Sequence, residues 1–276
     1  MKRRPAATIA IYLAAAVVAL FAVAPFAWMV LTSLKPDGEI FQRTPSLWTD
    51  SPQFGRYADV LDGGFATALR NSLIVATATT VAGVGVAALA GYVLARFDLP
   101  LRRYLLLMIM AVQMFPLVVL IIPLFVVMKA LNLLDSWVGL VIAYLSFTTP
   151  LAIWLLRSFF ETIPKELEEA AMSDGATRFG AMVRVIFPLA GPGLAATAIF
   201  SFIAAWNEFL LALTFVGTKE NRRTLPVALS SFVGQEQADW GAIMAGSVMF
   251  TIPVVIFFLA LHRRLTSGMV AGSVTG

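Results

Sequence analysis

"EAAMSDGATRFG", Glu169 to Gly180, is a charged, alanine- and glycine-bearing passage in a chain whose other long segments are almost entirely apolar. Upstream of it, Ile163-Pro164 predicts a helix start, because proline at the first helical position loses only an N–H that has no helical partner. Lys165 to Met172 continues with good helix formers and places Leu167, Ala170 and Ala171 on one face. Gly175 predicts the end of that helix, in the left-handed conformation of a C-terminal cap. Asp174 and Thr177 are placed to satisfy backbone N–H groups in the turn and at the next helix start. Phe179, Met182, Val183 and Ile186 then form a second apolar stripe at i, i+3, i+4 and i+7, with Arg178 and Arg184 off that face. Pro188 closes the segment. Residues 158–190 are thus expected to form two short amphipathic helices joined by a tight glycine turn, too short to span a bilayer and too polar to lie buried in one.

The flanks decide what surrounds this segment. Of 276 residues, 59% are hydrophobic and 13% charged, about half the charged share of a soluble globular domain, so the chain is read as a membrane protein. A span needs about 20 apolar residues to cross about 30 Å of hydrocarbon. Six stretches qualify: 9–31, 72–95, 104–128, 137–156, 193–216 and 242–261, with Glu208 the one charged side chain among them. The runs are continuous rather than alternating, and a lone strand in lipid leaves its backbone groups unpaired, so they are helices. The fold class is an all-α membrane protein, a six-transmembrane-helix bundle forming one domain over 1–276. Cysteine is absent and His262 is the one histidine, which removes thiol nucleophiles, disulfides and most metal sites.

The basic residues set the orientation. Lys2, Arg3 and Arg4 precede the first run, and Ala22-Val23-Ala24 resembles a signal cleavage site. The apolar run is longer than a signal core and five more follow, so the first is read as a retained helix. With the N-terminus inside, the inner segments hold 12 of the 20 basic residues, including Arg96, Arg102, Arg103, Arg157, Lys165, Arg178, Arg184, Arg263 and Arg264. The bias predicts both termini in the cytoplasm, with the 158–190 loop on the same side.

That loop has two readings: a helix pair lying on lipid headgroups, or one docking in a groove of a protein partner. Glu161, Glu166, Glu168 and Glu169 favour the partner, because an anionic leaflet repels them. Pro25, Pro116, Pro123, Pro150 and Pro253 interrupt the spans, and static kinks and moving hinges both fit them. Gly83, Gly85 and Gly91 offer close helix approach.

Residue by residue, the chain then resembles a known family. Glu169-Ala170-Ala171, Gly175 and Pro188 resemble the "EAA" loop of permease subunits of binding-protein-dependent ABC importers. "LTSLKP", "FATALRNSLIVA", "GYVLARF", "WNEFLLALTFV", "TLPVALSSF", "DWGAIMAGSV" and the terminal "SGMVAGSVTG" resemble the carbohydrate branch, in particular the smaller six-span permease of maltose-type importers. The resemblance implies that Glu169, Ala170, Ala171, Asp174, Gly175 and Pro188 belong to coupling helices that dock on a separate ATPase. It implies a homologous second permease, two ATP-binding subunits, an extracytoplasmic solute-binding protein and residence in a bacterial inner membrane. The positions of the basic residues around the spans account for the positive charge, so no nucleic-acid partner is expected, and no catalytic residue is assigned. Departures from the pattern are Val185 and Phe187 where Ile and Leu are usual, and Thr275 where a lysine is frequent.

Negative signals agree. No lysine follows a glycine, so a nucleotide phosphate loop is absent, and ATP and magnesium are expected on the partner subunits, with no cofactor or metal on this chain. The "H-E-x-x-H" and "G-x-S-x-G" signatures are absent too. The alternative, an ion-coupled secondary transporter, needs several buried ionisable groups or interrupted helices in matching halves. Within "WNEF", Trp206, Asn207 and Glu208 are candidates for the solute path, since carboxylates and amides bond sugar hydroxyls and aromatic rings stack on sugars. A continuous helix sets Glu208 about 23 Å from the inner end of its span and lets at most two of the three face one cavity. The competing reading pairs Glu208 with a basic group or a permease interface and leaves Trp206 in an aromatic belt.

Overall fold

A computed structural model describes residues 5–44, 46–233 and 238–272, with backbone alone for 5–7 and 263–272. Lys2, Arg3, Arg4 and Thr275 lie outside the described residues. Among those described, helices carry the fold, and β pairing is confined to one isolated bridge, Val233 with Ala238.

The principal helices, in chain order, are α1 (Pro5–Ser33), α2 (Ala66–Arg96), α3 (Arg102–Ala111), α4 (Leu117–Ala130) and α5 (Trp137–Thr162). They continue with α6 (Lys165–Ser173), α7 (Arg178–Ala181), α8 (Gly191–Trp206), α9 (Leu210–Val216) and α10 (Trp240–Gly272). Four helical stretches are long and apolar enough to cross a membrane alone: Thr8–Ser33, Gly55–Arg96, Trp137–Thr162 and Trp240–His262. Two bent pairs supply the remaining candidates, Arg102–Met114 with Leu117–Ala130 at 100°, and Arg178–Leu189 with Gly191–Trp206 at 76°.

Two expected spans are interrupted within their bounds. The third is broken at Pro116: Phe115 before it is extended, with ψ 128°, as steric conflict with a following proline ring favours. Pro25, Pro123, Pro150 and Pro253 remain inside their helices. The fifth stops at Trp206 and restarts at Leu210, at three residues that include neither proline nor glycine.

The chain packs as two units, Met1–Ala66 with Ala228–Ile252, and Thr67–Val227 with Pro253–Gly276. In the first unit, the end of α1 is closed by Arg56, whose Nη1 donates to Ser33 O and Lys35 O, each at 2.8 Å, while Nη2 meets Asp37 at 2.6 Å. These bonds satisfy carbonyls that the helix end leaves without partners. Lys35 is buried, and its Nζ donates to Ser46 O at 2.5 Å. The "LTSLKP" sequence is thus a helix terminus with its own hydrogen-bond partners.

In the second unit, α2 and α5 cross closely. A β-carbon on Gly91 would stand 3.0 Å from Arg157 N, and one on Gly83 would stand 3.2 Å from Leu145. Gly85 has nothing within 4 Å, so close approach rests on two of the three glycines. The core beside this crossing joins Ala88 and Tyr92 of α2 and Leu156 and Phe160 of α5 to Met182 and Ile186 of the segment beyond α7. Farther along α2, Asn71 Nδ2 donates to Asn221 O and Arg223 O, each at 2.9 Å, and Ser72 Oγ accepts from Leu225 N at 2.7 Å. The "RNS" and "TLPVAL" sequences meet there.

Candidate functional site

The segment from Ile163 to Ala190 is built from α6, α7 and a π-helical turn. Pro164 occupies the cap before α6 rather than its first helical position. The helix ends as its sequence predicts, because Gly175 has φ +90°. Gly175 N donates to Met172 O and Ala176 N to Ala171 O, each at 3.0 Å. This paired arrangement satisfies two of the carbonyls at a helix C-terminus and needs a left-handed residue, which glycine supplies without strain. Thr177 then caps α7, its Oγ1 accepting from Gly180 N at 3.1 Å. Asp174 does not share in the capping: its side chain is exposed and makes no hydrogen bond among the described residues.

The glutamates of α6 divide in a way the sequence did not disclose. Glu169 is exposed, whereas Glu168 is buried. Glu168 Oε1 accepts from Tyr92 Oη at 2.5 Å, and Oε2 lies 3.1 Å from Arg96 Nε, the Arg96 and Glu168 side chains being 4% and 6% exposed. Arg96 also donates through Nη2 to Ile163 O at 2.9 Å. Tyr92 and Arg96 stand four residues apart on α2, hence on one face, and between them they hold both the start and the middle of α6. Glu168 is not part of a partner-facing acidic surface, as the sequence reading had it. A second tie comes from Arg178, whose guanidinium lies 4.8 Å from the centre of the Phe97 ring, an attractive cation–aromatic geometry.

With Glu168 turned inward, the opposite side of α6 is open. Leu167 is 43% exposed, and Glu169 and Ala170 are exposed beside it. Ala171 is half-buried. The second stripe is divided: Met182 and Ile186 are buried, while Phe179, 68% exposed, and Val183 stand outward. Met182 and Ile186, the two buried positions, are the first and last residues of a π-helical turn. Pro188 lies within a short helical turn, Phe187–Leu189, rather than ending the segment, and the 76° bend follows it. The segment therefore offers Leu167, Glu169, Ala170, Phe179 and Val183 at its surface while its other face is held by α2 and α5.

The "WNEF" residues sit at the break between α8 and α9. Glu208, 7% exposed, accepts from Leu211 N at 2.8 Å through Oε1 and from Ala212 N at 3.0 Å through Oε2. Its carboxylate thus caps α9, and negative charge at a helix N-terminus is the favourable sign. Tyr144 Oη donates to Glu208 O at 3.4 Å. Trp206, 1% exposed, is stacked on Phe202 with centroids 5.6 Å apart, so it is a core ring and not part of an interfacial belt. Asn207 is exposed, its Nδ2 donating to Ile203 O at 2.8 Å. Of the three candidates, the structure presents Asn207 at the surface and sets Trp206 and Glu208 behind it.

Residues 83–270 match the family described as binding-protein-dependent transport system inner membrane component. The chain belongs to that family. Along its length this permease is 38% identical to the sulfoquinovosyl glycerol transport system permease protein SmoH of Agrobacterium fabrum, covering 96% of this chain and 93% of the relative. It is 40% identical to the trehalose transport system permease protein SugB of Mycobacterium tuberculosis, with 93% of each chain covered. The crystal structure of a bacterial ABC transporter involved in the import of the acidic polysaccharide alginate contains a chain of the same fold, with a TM-score of 0.76 and 25% identity over 95% of this permease and 98% of that chain. The importer-permease fold and family expected from the EAA loop and the flanking sequences are those found, and the ion-coupled alternative is not favoured.

Proposed function

We propose that this permease carries a sugar or sugar-like solute, a di- or oligosaccharide or a related glycoside, as one of two homologous membrane subunits of an ATP-driven importer. The observation that carries the solute class is the agreement of relatives similar over nearly the whole chain, named for sulfoquinovosyl glycerol and trehalose transport. An extracytoplasmic binding protein delivers the solute. Two separate ATP-binding subunits, on the cytoplasmic side together with both termini, hydrolyse ATP.

The 163–189 segment is proposed as the surface on which an ATPase subunit docks. Leu167, Ala170, Phe179 and Val183 form its apolar contact, Glu169 faces basic groups of the partner, and Ala171, Asp174, Gly175 and Pro188 set the path of the chain. Support comes from the split of α6 into an open face and a face pinned by Tyr92 and Arg96. A surface that transmits force must be firmly attached on one side and available on the other, because coupling is a difference in contact energy between two states of the assembly. At the break before α9, Asn207 is proposed to reach the solute path, with Trp206 and Glu208 holding the break in shape.

The experiment is uptake of a panel of labelled di- and oligosaccharides by cells in which the gene for this chain is disrupted and then restored. Loss and recovery of uptake of one saccharide is the expected result. Unchanged uptake of every saccharide, with loss of uptake of a peptide, amino acid or metal instead, contradicts the solute class.

A further inference from the structure

A groove between α3 and α5 joins positive charge to an apolar lining. Its volume is about 560 Å³, with Arg102, Arg103 and Arg157 at one end. Nη2 of Arg102 and Nη2 of Arg157 both donate to the same oxygen of Glu161, the latter at 2.8 Å. Arg103 is exposed and has no ion-pair partner among the described residues. The Nε groups of Arg102 and Arg157 are closed off and lack an acceptor. One carboxylate therefore pairs with two of the three guanidinium groups that line the groove, each with five N–H donors.

The position of these arginines strengthens the case for an anion. Arg102 and Arg103 open α3, which has no side-chain cap. A helix N-terminus already carries positive potential, so two cations there are unfavourable until a negative group joins them. Leu106, Leu107 and Met110 continue the groove along α3, and Trp154, 42% exposed, lines it from α5. A soluble phosphate or sulfate would leave that apolar length unfilled. A zwitterionic headgroup brings a cation that the arginines repel.

We propose that this groove holds an anionic phospholipid, with its phosphate among Arg102, Arg103 and Arg157 and an acyl chain along Leu106, Leu107, Met110 and Trp154. Clustered arginines at the polar end of a groove between membrane helices match such a headgroup in charge and depth. The lipid braces the last turn of α5, where Glu161 stands four residues before α6, and so steadies the base from which the 163–189 segment projects. The inference requires only that the chain lies in a bilayer and is independent of the solute carried.

The test uses membranes containing the full-length chain in its assembled importer. Phosphatidylglycerol and phosphatidylcholine, each with a diazirine in one acyl chain, are photoactivated in parallel, and adducts are mapped by peptide mass spectrometry. Phosphatidylglycerol is expected to label residues 102–110 and Trp154 more strongly than phosphatidylcholine, and Arg103→Gln to lower that labelling about fivefold. Arg103 has no ion-pair partner among the described residues, so the variant is expected to fold. Arg184→Gln, with the same loss of charge outside the groove, is expected to leave the labelling unchanged. Equal labelling by the two lipids, or labelling indifferent to Arg103→Gln, overturns the proposal. So does the absence of adducts from either lipid, because a protein partner then covers the groove.

Discussion

Arg96 Nε lies 3.1 Å from Glu168 Oε2, which ties the residue immediately before the EAA sequence to the end of α2. The neighbouring Glu169 is exposed and lines a small surface pocket together with Arg96, Glu168 and Arg178. Two adjacent acids thus differ: one is buried in an ion pair with its own chain, and the other stands exposed.

Glu168→Ala is expected to destabilise the permease, since removing one member of a buried ion pair strands the other at a cost of about 3–5 kcal/mol. Tyr92→Phe removes one hydrogen bond to a charged group and is expected to cost less, about 1.5–3 kcal/mol. Exchanging the charges, Arg96→Glu with Glu168→Arg, is expected to recover part of the loss. Glu169→Ala, at an exposed position, is expected to stay within about 0.5 kcal/mol of wild type while transport falls. Thermal unfolding of the purified complexes checks the order, and equal midpoints for Glu168→Ala and Glu169→Ala contradict it.

Gly175 permits a cleaner separation of folding from coupling. A β-carbon there meets nothing within 4 Å, so Gly175→Leu introduces no clash. It does place a side chain in the left-handed region, at a cost of about 1–2 kcal/mol, and that misdirects α7. The variant is expected to insert in the membrane yet lose transport, and Gly175→Asn, whose residue tolerates the same conformation, to retain most of it. Normal uptake by Gly175→Leu removes the turn from the coupling account.

Glu208 is expected to act first on stability. Glu208→Ala leaves the Leu211 and Ala212 N–H groups without acceptors, each omission costing about 1–3 kcal/mol. Glu208→Gln keeps one acceptor oxygen and is expected to fall between alanine and wild type in unfolding midpoint. Asn207→Ala removes an exposed side chain and is expected to spare the midpoint but weaken uptake. If Glu208→Ala unfolds at the wild-type temperature, the capping role is wrong.

The sequence made the elements with a local cause legible. Continuous apolar runs revealed the spans, and a single glycine followed by Thr177 revealed the turn between α6 and α7. What stayed hidden depended on contacts between distant residues. The break at 207–209 has no proline or glycine to announce it, and Glu208 read as a costly buried charge until the N–H groups of α9 appeared around it. Tyr92 and Arg96 lie within "GYVLARF", but no local pattern marks them as partners of α6. Which of Glu168 and Glu169 met them depended on how α6 packs, and periodicity alone does not settle it. Periodicity likewise placed Phe179, Met182, Val183 and Ile186 on one stripe, of which packing buries only Met182 and Ile186.

Orientation is open to direct labelling because the chain contains no cysteine. Ser173→Cys, in the exposed last turn of α6, is expected to react with a membrane-impermeant maleimide only after the membrane is opened. Glu220→Cys, whose native side chain is 85% exposed, is expected to react in intact spheroplasts. The reverse pattern contradicts the cytoplasmic placement of the 163–189 segment.

The most direct measurement of docking places the photo-cross-linking residue p-benzoylphenylalanine at Leu167, on the open face of α6, in membranes containing the whole importer. Irradiation is expected to join the permease to a subunit that carries a nucleotide phosphate loop, in a yield that changes when ATP is added. Adducts with lipid alone, in a complex that still transports, would show that this face lies on the bilayer surface and would contradict the coupling account.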